Sequence, residues 1–330
     1  MGLRDILDHL LRRDIKTPEP KKQEGEGGTS QKTEGLRFYL RYFFHDRAAL
    51  AAMVIIVLFY VWAVMEGIMQ QLASIYHKPV YGYMLLPSNP FILDFTHKLL
   101  PPSLSSVAYL FGTNFNGQSI LSQILYAAPR DAMTPIVIVG SAILIGMILG
   151  TAAGYIGGWT DELIMRITDT FLAIPGLVLA LTVSVLLGAG FTSLVYSLVI
   201  VWWPTYARFF RAQALTLRNK GYVESAKLSG MSSFRILIRH IIPNSVDPVI
   251  AYATLDLGTV ILTYSTLAFL GIGLTIGYPE WGYMSSDGLS FFPIDWWWSI
   301  IPGIVIGVIV VSFTLVGDRI QDIVSGRMTY

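Results

Sequence analysis

Uncharged runs long enough to cross a bilayer alternate with short clusters of charge along this chain. From Thr170 through Ala207 no residue is charged. One helical crossing of the hydrocarbon core takes roughly 20 apolar residues, so that run holds two crossings. They lie within Phe171–Leu187 and Thr192–Phe210, with Gly188-Ala189-Gly190 as the tight hairpin between them. Four more segments have the same character: Ala48 to about Met65, a stretch within Met133–Gly158, about Val246 to Gly271, and Trp296 to Gly317. The pattern predicts an all-α, polytopic membrane protein with six transmembrane helices.

The polar stretches set the organisation. Residues 1–47 read as a tail preceding a membrane domain of 48–330. Leu3, Ile6, Leu7, Leu10 and Leu11 share one helical face there, a pattern open to an interfacial helix, a docking helix or a short fraying end. Residues 17–35, rich in Pro, Gly, Glu and Lys, read as a flexible linker. A long connection of about 70–132 follows the first crossing. The connection at about 211–245, between the fourth and fifth crossings, carries order of its own. Glu224 to Gly230 reads as a short helix closed by a glycine in the left-handed conformation. Ser232 then caps a second helix running to about His240, which Pro243-Asn244 stops. Two short helices around a glycine corner make a stiff projection from the membrane face.

Orientation follows from the basic residues. Residues 1–47, Arg166, the segment Arg208–Arg239 and the end beyond Gly317 carry 20 of the 23 Lys and Arg, leaving Lys78, Lys98 and Arg130 for the other side. The Lys/Arg-rich side is cytoplasmic, so both termini are expected inside and 70–132 outside. Trp281 and Trp296-Trp297-Trp298 fall where an external aromatic belt would lie.

Composition agrees with a membrane location: 53% of residues are hydrophobic and 14% charged, against roughly a quarter charged in soluble proteins. A net charge of +1 gives no reason to expect nucleic acid as a partner. The absence of Cys excludes disulfides and thiolate chemistry. No cleaved signal peptide is expected, because the first thirty residues lack an apolar core with a small-residue cleavage site. The five His are scattered, and no zinc-protease, serine-hydrolase or phosphate-loop motif occurs. The chain is therefore expected not to be an enzyme and to bind no cofactor, so any ATP hydrolysis has to come from another chain. No internal inverted repeat of the kind common in secondary transporters stands out.

Glu224-x-Ala226-x-x-x-Gly230, followed by His240-Ile241-Ile242-Pro243-Asn244, resembles the EAA loop of importer-type ABC transporter permeases. Further motifs resemble the dipeptide/oligopeptide branch, in particular its second ("C") membrane subunit. They are Gly154-Tyr155-Ile156-Gly157-Gly158-Trp159, Ala173-Ile174-Pro175-Gly176, Trp203-Pro204-x-Tyr206-Ala207-Arg208, Phe269-Leu270-Gly271-Ile272-Gly273, Pro279-Glu280-Trp281-Gly282-Tyr283-Met284 and Leu315-Val316-Gly317-Asp318. The resemblance covers about residues 37–325. It implies a multi-pass cell-membrane permease pairing with a homologous second permease as a heterodimer. It further implies two nucleotide-binding ATPase subunits, which carry ATP and Mg, an external substrate-binding protein, and lipid around the helices. Glu224, Ser225, Ala226, Lys227, Gly230, His240, Pro243 and Asn244 would form the ATPase-coupling loop. The implied cargo is oligopeptide, with oligosaccharide as the alternative within the same family and an ATP-independent secondary transporter as the competing class. The sequence departs from the family at Ser225, where Ala is usual, and at Tyr264, where Glu is common. In Gly112-Thr113-Asn114 and Gly117-Gln118-Ser119 neutral residues replace a charged cluster.

Asp256 falls roughly 15 Å into the fifth crossing at 1.5 Å per residue. A carboxylate at that depth is costly against lipid, so it either lines the translocation path or makes a structural hydrogen bond between helices. Tyr264 is its companion candidate for the path. Arg166 and Asp169, three apart, are expected to form a local ion pair.

Overall fold

The computed structural model describes residues 46–273 and 277–325. The N-terminal amphipathic segment and linker expected from sequence lie outside them. Every regular element among the described residues is helical. Helix α1 (Arg47–Ile75) begins at Asp46, whose carboxylate accepts from the N–H groups of Ala48 and Ala49. Helix α2 (Ile120–Ile156) is capped by Ser119 and ends at Gly157, where φ is +72°. Helices α3 (Gly158–Leu172) and α4 (Gly176–Leu187) meet at a 92° bend. Helix α5 (Phe191–Leu217) is followed by α6 (Gly221–Leu228) and α7 (Ser233–Ile236). A π-helical turn, Leu237–Ile241, leads into α8 (Ile242–Phe269). Helices α9 (Trp281–Asp287) and α10 (Trp296–Ser325) complete the described chain.

Four of these are long and apolar enough to cross a membrane: α1, α2, the Pro248–Phe269 part of α8, and α10. The bent α3–α4 pair raises the number to five if it counts as one broken span. Helix α5 has the length, at 27 residues, but Trp202, Trp203, Pro204, Thr205, Tyr206 and Arg208 dilute its apolar character.

The tightest seam joins α2 to α5. Gly146, Gly150 and Gly154 recur every four residues and so share one face of α2. A Cβ at Gly150 would lie 2.2 Å from the Ala207 carbonyl oxygen, one at Gly146 2.5 Å from Tyr206 Cβ, and one at Gly154 2.6 Å from the Arg211 carbonyl oxygen. The two backbones therefore touch along a stripe of small residues, where dispersion contacts replace the hydrophobic drive that lipid removes. Gly258 and Gly317 do the same between α8 and α10, facing Phe313 and Leu255.

Helix boundaries differ from the sequence reading in several places: the segment Phe171–Leu187 is broken between α3 and α4, α8 starts at Ile242, and α10 runs on to Ser325. α1 continues ten residues past Met65, and α2 begins at Ile120, so the connection between them runs only from Tyr76 to Ser119 and holds three short 3-10 turns, Pro79–Tyr83, Phe95–His97 and Val107–Tyr109. Pro129 and Pro135 sit inside α2. Pro129 removes the N–H that the Leu125 carbonyl would accept, and the Trp62 indole N–H supplies it instead at 3.0 Å. The neighbouring carbonyls of Tyr126 and Ile124 accept from Gln70 Nε2 at 2.8 Å and Trp281 Nε1 at 3.0 Å.

Replacement of Gly150 by Leu is expected to force α2 and α5 apart, an overpacking that costs roughly 1–3 kcal/mol or more. The purified protein should melt several degrees lower. Gly140→Leu, at a position with no atom within 4 Å of a built Cβ, is expected to melt like the parent, and equal losses in both would refute the seam.

Candidate functional site

The connection between α5 and α8 is a folded unit. In α6 the inward positions Val223 and Ala226, three apart, are buried with Ala214 of α5 and with Ile236 and Ile241 beyond the corner. Tyr155 at the end of α2 and Leu217 at the end of α5 pack on the same cluster. Gly230, with φ of +76°, turns the chain after α6, and its N–H bonds the Lys227 carbonyl. The corner is open, with nothing near a built Cβ, so glycine is required by backbone conformation and not by space. Ser232 holds the N-cap position of α7 without a side-chain hydrogen bond.

The expected stop at Pro243 does not occur. The chain stays helical from Ser233 into α8, and Pro243 lies in the first turn of that helix. The π turn shifts the hydrogen-bond register immediately before it, so the missing Pro N–H falls where the pattern changes. Asn244 Nδ2 donates to the His240 carbonyl at 2.6 Å. Glu224, Ser225, Lys227, Gly230, Pro243 and Asn244 are exposed, whereas Ala226 points inward and His240 is half-buried. Ser225 donates its hydroxyl to the Gly221 carbonyl, and Lys227 lies 5.5 Å from the Tyr155 ring centroid.

Two residues absent from the sequence reading dominate the outer face. Leu228 is 87% exposed and Phe234 73%, flanking the Gly230 corner as large apolar groups in water. For Leu228 the available signal was its position off the Val223/Ala226 face of α6.

Ion pairs brace the root of this projection. Arg211 of α5 bonds both oxygens of Asp161 in α3, Arg208 meets Asp169 at 2.6 Å, and Arg218 donates to the Gly154 carbonyl at 3.1 Å. Arg166 pairs with Glu162, one turn earlier, at 2.8 Å, instead of the expected Asp169. The i,i+4 geometry suits it better, and Arg208 arrives from a different helix to claim Asp169.

Deeper in the bundle, Asp256 is 6% exposed. Its Oδ2 accepts from both Trp202 Nε1 and Tyr206 Oη, each at 2.8 Å, tying α8 to α5. Tyr264 is fully buried beside Phe191. The structure thus brings Glu224 to Gly230, His240, Pro243 and Asn244 together in one folded connection and leaves Asp256 and Tyr264 apart from them, in the helix interior. The tryptophans expected in an external belt are also internal: Trp281, Trp297 and Trp298 are buried, with Trp281 bonded to the Ile124 carbonyl and Trp297 to that of Thr113. Only Trp296 is exposed. Their indole N–H groups find backbone acceptors that sequence spacing does not reveal. At the N-cap of α9, Glu280 accepts from the Tyr283 N–H at 2.7 Å, and burial pushes its carboxyl up to about 7.

Asn114 and Gln118 of the connection before α2 form a neutral amide network with Gln123 in the first turn of α2. Asn114 Nδ2 reaches Gln118 Oε1 at 2.9 Å, and Gln123 Nε2 reaches the same oxygen at 3.0 Å. Asn114 and Gln118 are two of the neutral residues that the sequence reading singles out at 112–114 and 117–119. With Tyr278, Tyr283 and Asp287 they line a cavity of about 320 Å³. Among the described residues no group of His, Asp and Glu is arranged to hold a metal ion.

Comparison with known proteins adds an independent line. The family model described as "Binding-protein-dependent transport system inner membrane component" matches residues 142–330. A probable D,D-dipeptide transport system permease protein of Escherichia coli (strain K12) is 37% identical over 248 residues, 75% of this chain and 82% of that one. A dipeptide transport system permease protein of Alkalihalophilus pseudofirmus is 37% identical over 223 residues, 68% of this chain and 73% of its own. A glutathione transport system permease protein of Pectobacterium atrosepticum is 35% identical over 223 residues, 68% and 74% respectively.

Asp256→Ala is expected to strand two buried donors and to cost roughly 1–3 kcal/mol, whereas Asp256→Asn keeps an acceptor and should melt closer to the parent. Thermal unfolding of the purified protein measures both. Equal melting of all three with altered transport would assign Asp256 to the path instead of the helix joint.

Proposed function

This chain belongs to the family of binding-protein-dependent transport system inner membrane components, and from that premise we propose that it is the second membrane subunit of an ATP-driven peptide importer. It is an inner-membrane protein, and its relatives are transport permeases, not enzymes. In the proposed topology six crossings leave both termini in the cytoplasm. Helix α5 and the bent α3–α4 pair supply the two spans beyond the four of clear apolar length. The permease pairs with a homologous subunit to enclose the path, receives cargo from an external binding protein, and rests on two ATPase subunits that bind ATP and Mg.

The coupling device is α6 with its Gly230 corner. What supports this reading is the division of its two faces. Val223 and Ala226 lock it onto Ala214, Leu217 and Tyr155, while Glu224, Leu228 and Phe234 face outward. An ATPase groove would take the two apolar side chains, and Glu224 would meet a basic residue on its rim. Closure of the ATPases then pushes a rigid lever rooted at the ends of α2 and α5. The Arg211–Asp161 and Arg208–Asp169 pairs carry the displacement to α3. A loosely attached loop would absorb it. Peptide as cargo is supported by the names of the relatives, which include dipeptide, D,D-dipeptide and glutathione permeases.

Glu224→Lys and Leu228→Asp are expected to abolish ATPase co-purification, or to lower binding-protein-stimulated uptake at least tenfold, while membrane insertion is retained. Gly230→Pro should do the same, since Pro fixes φ near −65° where the corner needs a positive value. Normal ATPase association and uptake in all three variants would rule out the coupling role.

A further inference from the structure

Arg130 is one of the three cations the sequence places away from the cytoplasmic side, and the only one on a spanning helix. Its guanidinium carbon lies 3.5 Å from the Tyr278 ring centroid and 4.7 Å from that of Phe191. The shorter value is a stacking distance, which occupies the face of the guanidinium and leaves its N–H edge available. Among the described residues that edge has no hydrogen bond and no ion pair within 4 Å. The carboxyls of Glu66, Asp131 and Glu280 are the acidic groups whose charge bears on this region. All three are buried, and none of them lines the cavity into which Arg130 opens.

That cavity measures about 370 Å³ between α1, α2 and the start of α5, within the usual range for small-molecule sites. Arg130 is its one charged lining residue, accompanied by Gln70, Gln71, Thr134 and the rings of Phe191 and Tyr278. We propose that it is a carboxylate-receiving station on the path, in which the Arg130 fork takes the terminal carboxylate of a peptide in transit. This rests on the peptide-importer reading above. A guanidinium stacked on a ring accepts a partner best in its own plane, and a planar carboxylate meets two N–H groups there at once. Beside it the exposed Gln71 amide suits the peptide group that follows a C-terminus, whereas Gln70 and Thr134 are held by the carbonyls of Tyr126 and Arg130. A lipid is the weaker occupant: the groove suited to an acyl chain lies elsewhere, between α1 and α10, lined by Ala48, Ala52, Ile55, Ile304, Val308 and Leu315.

The test uses the complete importer in proteoliposomes, with its binding protein saturated by tri-alanine or by tri-alanine amide. Uptake is expressed per complex, counted by co-purified ATPase subunit. Arg130→Gln is expected to lower the ratio of free-acid to amide uptake about tenfold, and Arg130→Lys, which keeps the charge but loses the fork, to lower it less. If the Gln variant fails to assemble, the Lys variant decides on the same ratio. An unchanged ratio in an assembled variant overturns the proposal, as does an equal fall for both peptides. Loss of co-purifying phosphatidylglycerol with uptake ratios intact would assign the cavity to a lipid headgroup and overturn it too. Failure of the wild-type complex to take up either peptide would sink the peptide reading itself, and this station with it.

Discussion

The backbone contact between α2 and α5 is the constraint on which the rest of the structure depends. Gly146, Gly150 and Gly154 let the two helices approach until backbone meets backbone at Ala207 and Arg211. In lipid no solvent-driven force holds helices together, so closeness of packing and satisfied polar groups have to do it. Everything with chemical interest hangs from this seam. The end of the seam near Gly154 supplies Tyr155, Ala214 and Leu217, the floor under α6. Near its middle Tyr206 reaches Asp256 and fixes α8 alongside. Its outer end continues into the proline-containing part of α2, where Arg130 opens into a cavity.

A donor or acceptor placed in hydrocarbon needs a partner from the protein. The carbonyls around Pro129 show the rule at work, because the indoles of Trp62 and Trp281 and the amide of Gln70 occupy three successive oxygens. These bonds join α1, α2 and α9 near the start of α2, and the Arg218 bond to the Gly154 carbonyl ties the other end of α2 to α5, beside the arginine–aspartate pairs between α3 and α5. Both ends of α2 are thereby braced. Displacement of α6 by a partner would accordingly move a block of helices instead of bending one.

Much of this was legible in the sequence where a local rule decides the outcome. Gly230 is a corner because a positive φ is easy only for glycine, and the exposure of Glu224 follows from helical spacing. The long charge-free run gave the hairpin at 188–190, though its first half folds as a short helix at a sharp bend after α3. The rest depended on partners distant in sequence. Pro243 looked like a helix stop because nothing nearby announces the π turn that accommodates it. The tryptophans looked like a belt because their acceptors, the carbonyls of Ile124 and Thr113, lie more than 150 residues away in the chain. Asp169 was paired with Arg166 on spacing alone, and Arg208 takes it only once α5 has packed against α3. The exposure of Leu228 depends on Val223 and Ala226 filling the inner face of α6, and that of Phe234 on Ile236 taking the buried position of α7.

A lever that carries force has to keep its shape while the complex changes state. The chain has no cysteine, so a pair of labels at Ser229 on the lever and Trp159 at the start of α3, both exposed, would report on the lever alone. Pulsed electron-electron resonance on the assembled importer, nucleotide-free and ATP-trapped, is the most direct measurement. A rigid lever predicts one narrow distance distribution that is the same in both states. A broad distribution, or a shift of several ångströms on trapping, would contradict it and make the loop a flexible tether.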